Sequence, residues 1–197
     1  MAPVLDHVGE YSKRAPLLLC GVLGCGSPGD HYRIQFDPTG ATVQDLELGV
    51  AAVDMWLAGT PDLRADVVIG PCSGAHPAMG CIHFSTGAVV SGYSGSGTSL
   101  GITRRGFDVP ELLAGFVDGG ETWIAVDRIA AQYPTERSVW LEQVVAHELG
   151  HVMRLEHPNN TNSGELMNAW ADQPTLTCAD VAQWYAIRGR KGPTPCE

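Results

Sequence analysis

Two histidines spaced four residues apart constrain this chain more than any other feature of its sequence. His147 and His151 flank Glu148 in the stretch VAHELGH. On an α-helix, residues four apart lie on one face, so both imidazoles can reach a single ion. Two imidazoles suit zinc, and Glu148 is placed to take a proton from water at the metal. The pattern predicts a helix beside a cleft, although helices that carry two surface histidines and a glutamate are also common.

Two imidazoles leave zinc under-coordinated, so a third ligand must come from elsewhere in the chain. His157 follows His151 by six residues, and Met167 follows His157 by ten. The residues before the motif are apolar, which is typical of a helix that is buried up to an active-site cleft: Val139, Trp140, Leu141, Val144 and Val145.

The chain resembles the metzincin metallopeptidases over roughly Tyr32–Arg188. Their motif, His-Glu-x-x-His-x-x-Gly-x-x-His, stands here as HELGHVMRLEH over His147–His157, and SGELMN over Ser163–Asn168 looks like their Met-turn. The resemblance implies one catalytic Zn²⁺ ion and these site residues: the metal ligands His147, His151 and His157, the catalytic Glu148, and Met167 packed beneath the metal.

Arg154 stands where the family has glycine, at the sharp turn after the helix. A non-glycine residue in the left-handed region costs roughly 1–2 kcal/mol. Arg154 therefore either adopts this strained geometry or the turn is built differently. Thermolysin-like peptidases instead use a glutamate from a later helix as third ligand, but Glu156 and Glu165 do not lie in a predicted helix.

The fold predicted from the pattern and the resemblance is α/β (α+β) and zincin-like. A mixed twisted sheet packs on two helices beside a zinc cleft, and a small C-terminal subdomain carries the Met-turn and a final helix. Strands are expected at 32–36, 65–69 (buried), 81–84, 88–90, 100–102 and 121–126. Helices are expected from Thr42 to about 57, over about 136–151, and over about 178–187, the last with a Thr177/Asp180 capping box.

These features predict an exported zinc metalloendopeptidase that hydrolyses peptide bonds by Glu-assisted attack of a zinc-bound water. The alternatives are a catalytically degenerate metzincin-fold binding lipoprotein and a structural envelope lipoprotein. The resemblance implies a peptide or protein substrate paired to an edge strand, for which the region 88–101 is the candidate. Trp170 and Pro174 are expected to line the pocket for the residue after the cut.

The N-terminus resembles a bacterial lipoprotein signal. A Lys13-Arg14 pair precedes a short apolar stretch, and the sequence VLGC ends at Cys25. We expect a signal peptide over residues 1–24, lipidation of Cys25, a tether over 25–31 and the catalytic domain over 32–197. The alternative is a buried N-terminal strand or helix.

Four cysteines remain once Cys20 is removed with the signal peptide and Cys25 is assigned to lipid attachment: Cys72, Cys81, Cys178 and Cys196. An even number in an exported protein predicts two disulfides. Of the three connectivities, the local pairs Cys72–Cys81 and Cys178–Cys196 are preferred, and zinc binding by these cysteines is the rival interpretation.

The chain is acidic, with a net charge of −10 from 12 basic and 22 acidic residues. This charge argues against binding to nucleic acid or to an anionic membrane surface. We expect a monomer that meets a membrane only through the N-terminal lipid. His31, His76 and His83 are expected to be ordinary polar or structural histidines, although His76 and His83 could hold a second ion.

Overall fold

A computed structural model describes residues 31–72, 80–105, 120–158, 164–169 and 175–192. These residues form five strands: β1 (His31–Asp37), β2 (Arg64–Ile69), β3 (Gly80–Ser85), β4 (Gly101–Arg105) and β5 (Gly120–Ala125). They also form five helices: α1 (Val43–Gly59), α2 (Gly87–Ser94), α3 (Val126–Gln132), α4 (Arg137–Val152) and α5 (Cys178–Ala186).

The strands form one mixed sheet in the order β2-β1-β3-β5-β4. The strands β2, β1, β3 and β5 run parallel to one another, and β4 pairs antiparallel with β5 at one end of the sheet. Alternate residues of β1 (Tyr32, Ile34 and Phe36) point into a core shared with α1 and α4. The predicted α/β fold with a mixed sheet on two helices is confirmed.

Two contacts join the helix α1 to α4. Thr42 and Asp45 form a capping box at the start of α1, and Arg137 at the start of α4 pairs with the buried Asp45. Further along, the indole N–H of Trp56 donates to the carbonyl of Ala146, 2.8 Å away in the core. This bond holds α4 in register immediately before His147.

Two strand predictions were wrong, one in its secondary structure and the other in its burial. The segment 88–90 lies in α2, because Thr86 caps its N-terminus and Gly95, at φ 70°, ends it in the left-handed region. The segment 88–101 therefore does not supply an edge strand; β4, which begins at Gly101, does. The strand β2 is largely exposed rather than buried, because it lies at the other edge of the sheet.

The helix α3 was missed by the sequence analysis. It continues directly from β5, and Ala125 at its N-cap makes no capping hydrogen bond through its side chain. The usual start signal is therefore absent.

The structure pairs Cys72 with Cys81 in a disulfide, with 6.0 Å between their Cα atoms, as predicted. Cys178 is also disulfide-bonded. Its predicted partner Cys196, the predicted signal peptide and Cys25 lie outside the described residues. Within the described ranges, no helix combines the length and apolar character needed to cross a bilayer.

Candidate metal centre

The two histidines of the helical motif are buried and held by backbone carbonyls. His147 Nδ1 lies 2.6 Å from the carbonyl oxygen of Leu166, and His151 Nδ1 lies 2.9 Å from that of Leu155. A carbonyl can only accept, so each Nδ1 carries the proton and donates it. The lone pair of each ring is therefore on Nε2, the tautomer that a metal ligand requires.

His157 completes a cluster of three imidazoles. Its Nε2 lies 3.2 Å from Nε2 of His147 and 3.0 Å from Nε2 of His151. Three ligand nitrogens on a tetrahedral zinc ion, at 2.0–2.1 Å each, are about 3.3 Å apart. The cluster thus fits a metal ion after small shifts of its side chains. The two rival glutamates, Glu156 and Glu165, both lie outside this cluster, and Glu156 is exposed.

Arg154 provides the turn that returns His157 to the helix, and it adopts the strained alternative. Its φ is 74°, a left-handed value that no other non-glycine residue in the described part of the chain has. The Arg154 N–H donates to His151 O at 3.0 Å, and the Leu155 N–H donates to Gly150 O at 2.9 Å. These two bonds form a Schellman motif, in which the left-handed position usually holds glycine.

Arg154→Gly is expected to stabilise the protein, because it removes the steric cost of a Cβ in the left-handed region. We expect a gain of about 1 kcal/mol in the free energy of unfolding. For a chain of this length that is a rise of about 2–4 °C in Tm. Thermal unfolding of the metal-free protein measures it; an unchanged or lower Tm would contradict it.

The segment predicted as the Met-turn lies under α4. Met167 is buried, and a Cβ added to Gly150 would lie 2.2 Å from its sulfur, so glycine is required between the two histidines. The buried carboxylate of Asp180 accepts from the N–H groups of Leu166 and Met167, each at 3.0 Å. The same Leu166 orients His147 through its carbonyl, so Asp180 supports a candidate ligand through the backbone.

Glu148 is fully buried between α4 and the edge strand β4. Its Oε2 accepts from the Thr103 hydroxyl at 2.6 Å, and the Thr103 and Thr122 hydroxyls are 2.8 Å apart. A Cβ on Gly101 would lie 2.7 Å from Oε1 of Glu148, so this close approach needs glycine. The strand β4 therefore sets the position of this carboxylate, which belongs to the residue that follows His147.

Burial, and to a smaller extent the neighbouring His157, lowers the pKa of His147 from 6.5 to about 3; the bond to Leu166 opposes the shift. His147 is therefore neutral at physiological pH, and its Nε2 lone pair is available to a cation.

The metal-free protein is expected to lose stability in acid through His147. Its folded-state pKa is depressed, so the unfolded chain binds one more proton between pH 6.5 and about 3. The contribution of His147 to the free energy of unfolding is fully present above pH 6.5. Below pH 6.5 it falls by at most about 1.4 kcal/mol per pH unit. Urea unfolding at several pH values would measure this, and His147→Gln should flatten the slope.

Two other histidines lie away from the centre. His31 pairs with Asp66 at 2.9 Å on the surface. His83 lies 3.2 Å from Asp37 and stacks on Trp123. His76, Trp170 and Pro174 lie outside the described residues.

Sequence reasoning missed four residues that shape the site: Gly101, Thr103, Thr122 and Asp180. Asp180 had a signal, since it was recognised as part of a capping box, but its contacts with Leu166 and Met167 were not foreseeable. No sequence signal links the three residues of β4 and β5 to α4.

No protein-family model and no curated protein sequence matches the chain. Solved structures do. Metalloproteinase-II from Bacteroides fragilis aligns with a TM-score of 0.50 and 13% identity, over 94% of this chain and 56% of that chain. Archaemetzincins from Methanopyrus kandleri and Archaeoglobus fulgidus align with TM-scores of 0.48 and 0.41, both at 14% identity. They cover 82% and 78% of this chain, and 98% and 99% of their own.

At such identities, the likeness to the Bacteroides structure shows the fold alone. The described chain has a mixed α/β fold of the kind that this solved metalloproteinase contains, with a three-histidine group able to hold a metal ion.

Proposed function

We propose that the protein is a zinc-dependent metalloendopeptidase of the metzincin type. One observation carries the proposal: Nε2 of His157 lies within 3.2 Å of Nε2 of both His147 and His151, and the buried carboxylate of Glu148 belongs to the residue that follows His147. Three neutral imidazoles with a fourth position for solvent are a ligand set typical of catalytic zinc. The fold shared with a solved metalloproteinase supports the same activity.

The chemistry divides between the metal and Glu148. When bound, zinc supplies Lewis acidity, which polarises a substrate carbonyl and makes water more acidic. Glu148 takes a proton from the attacking water and passes it to the leaving amine. The Thr103 hydroxyl holds one carboxylate oxygen, so that the side chain keeps one orientation during both transfers. His147 and His151 stay fixed through their bonds to Leu166 and Leu155.

The edge strand β4 is the proposed docking strand for the substrate. It lies at the end of the sheet and pairs on one side with β5, and Thr103 at its centre contacts Glu148. An extended peptide added to its other side would run past the carboxylate, and main-chain hydrogen bonds would hold it there. The substrate is therefore a peptide segment that can be extended.

The test is cleavage of a diverse peptide mixture by the purified, zinc-loaded protein, followed by mass spectrometry. We expect internal cuts that stop on chelation and return when zinc is added. The sequence preference around the cuts would be read from the same data. Folded, zinc-loaded protein that cuts nothing would overturn the proposal and favour a degenerate binding protein.

Thr103→Val is expected to slow peptide cleavage about tenfold, because the isosteric side chain removes one hydrogen bond of about 1–1.5 kcal/mol from Glu148. The loss should lie in kcat, with zinc content unchanged. Thr98→Val, an exposed threonine of the preceding loop, is the control. Equal kcat for the two variants would show that Thr103 does not position the carboxylate.

Export and lipid attachment at Cys25 are part of the proposal. The disulfide between Cys72 and Cys81 supports export, because disulfides persist mainly in oxidising compartments. Membrane fractionation of Cys25→Ser beside the unaltered chain tests the anchor; equal membrane association would refute it.

A further inference from the structure

A second group of metal-binding residue types lies on the sheet face opposite α4, which we call the outer face. It consists of Cys72, Cys81 and His83. His83 and Trp123 point to this face, whereas their neighbours Ile82 and Ile124 point into the core beneath α4. The group is therefore separated from the three-histidine centre by the sheet itself.

The imidazole of His83 is oriented towards the sulfur of Cys81. Its Nε2 lies 3.1 Å from the sulfur of Cys81, and its Nδ1 lies 3.2 Å from a carboxylate oxygen of Asp37. Stacking on Trp123, with the ring centroids 5.5 Å apart and 13° between the planes, restrains the ring. A carboxylate on Nδ1 fixes the proton there and leaves the Nε2 lone pair on the sulfur side, the arrangement that metal-bound histidines commonly have.

We propose that reduction of the Cys72–Cys81 disulfide creates a second metal site, in which both thiolates and His83 Nε2 bind one zinc ion. Bonded sulfurs are about 2.05 Å apart, and two thiolates on one zinc ion are about 3.8 Å apart. A zinc-bound sulfur and imidazole nitrogen are about 3.5 Å apart. The sulfurs must separate by less than 2 Å, and His83 must retreat by less than 1 Å, with the fourth position left to solvent.

The conversion balances with a dithiol as the reductant. One thiolate of the dithiol attacks the half-buried Cys72 sulfur, and Cys81 leaves as a thiolate beside His83. The second thiol of the dithiol then releases Cys72 and closes its own disulfide. The protein gains two electrons and two protons, and the two thiol protons leave when the metal binds. Oxidised chains then have one metal site and reduced chains have two.

Cobalt titration of the full chain tests the proposal. Co²⁺ is the probe, because thiolate ligands give it an intense charge-transfer band that imidazole ligands do not. The oxidised protein should bind one ion without the band, and protein reduced with a phosphine should bind two ions with it. The band should be absent in Cys81→Ser and retained in Cys178→Ser, which separates this cluster from the other cysteines.

The roles of His83 and Asp37 are tested by measuring the affinity of the second site for Co²⁺. Asp37→Asn should weaken the second site about 10–100-fold. His83→Gln should weaken it further, whereas His31→Gln, at an exposed histidine of the same sheet, should change nothing. His151→Ala should remove the first ion only, so this test is independent of peptidase activity.

Far-ultraviolet circular dichroism reports whether the reduced chain is folded, alone or after Co²⁺ is added. The proposal is overturned if the reduced protein shows no charge-transfer band, if Cys81→Ser shows the same band, or if the reduced chain unfolds and metal does not restore it.

Discussion

Replacing Glu148 with glutamine is expected to lower kcat for peptide cleavage by about 10²–10⁴-fold, the range usual for loss of a general base. Glutamine keeps the shape of the side chain, and its amide oxygen can still accept from Thr103, 2.6 Å from Glu148 Oε2. The variant should therefore fold and retain its metal, while the group that accepts the proton is gone. Cleavage kinetics and zinc content, measured on one preparation, separate the two effects.

Glu142→Gln is the matched control, because Glu142 lies on the same helix α4, six residues before Glu148, and is only half-buried. It should cleave at the rate of the unaltered protein. If Glu148→Gln keeps more than a tenth of the activity, Glu148 is not the general base, and the carboxylate would have only a structural role between α4 and β4.

Replacing Asp180 with alanine is expected to lower both the stability of the protein and its affinity for zinc. In Asp180→Ala the N–H groups of Leu166 and Met167 lose their acceptor in a buried position. Each unsatisfied group costs about 1–3 kcal/mol, so the free energy of unfolding should fall by about 4 kcal/mol. The Leu166 carbonyl would then no longer be held against His147, and zinc affinity should fall about 10–100-fold.

Asp45→Ala separates stability from metal binding. Asp45 is equally buried, occupies the same capping-box position in α1, and accepts from the Thr42 N–H. It does not touch the Met-turn segment, so Asp45→Ala should lower stability with zinc affinity unchanged. Competition with a chromogenic chelator measures the affinity, and denaturant unfolding measures the stability. Equal zinc affinities in the two variants would show that Asp180 supports only the fold.

Local patterns predicted the helix α4 well, because the spacing of His147 and His151 is a property of the helix itself. The cap at Thr42 and the capping box at Thr177 and Asp180 were similarly local signals, and both predicted helix starts are confirmed. The turn at Arg154 was predicted as a choice between two geometries, and only the structure shows that the strained one is used.

The remaining parts of the site depend on contacts between elements far apart in sequence. Thr103 meets Glu148 only because β4 lies beside α4, and nothing in the residues around position 103 indicates this neighbour. The error at 88–90 has a different cause: Val89 and Val90 favour strands, but Thr86 and Gly95 supply the start and end of a helix. The capping signals therefore outweighed the intrinsic strand propensity of the segment 88–90.

The connection from α5 to α4, which runs from Asp180 through Leu166 to His147, also sets an order of events during synthesis. His147, His151 and His157 leave the ribosome before Asp180, so a nascent chain already has its three imidazoles while the Leu166 carbonyl is still unanchored. The ligand geometry is complete only when the last helix docks. Zinc capture, and with it the proposed peptidase activity, should therefore be a late step in maturation, and this order would protect the chain and its neighbours from premature cleavage.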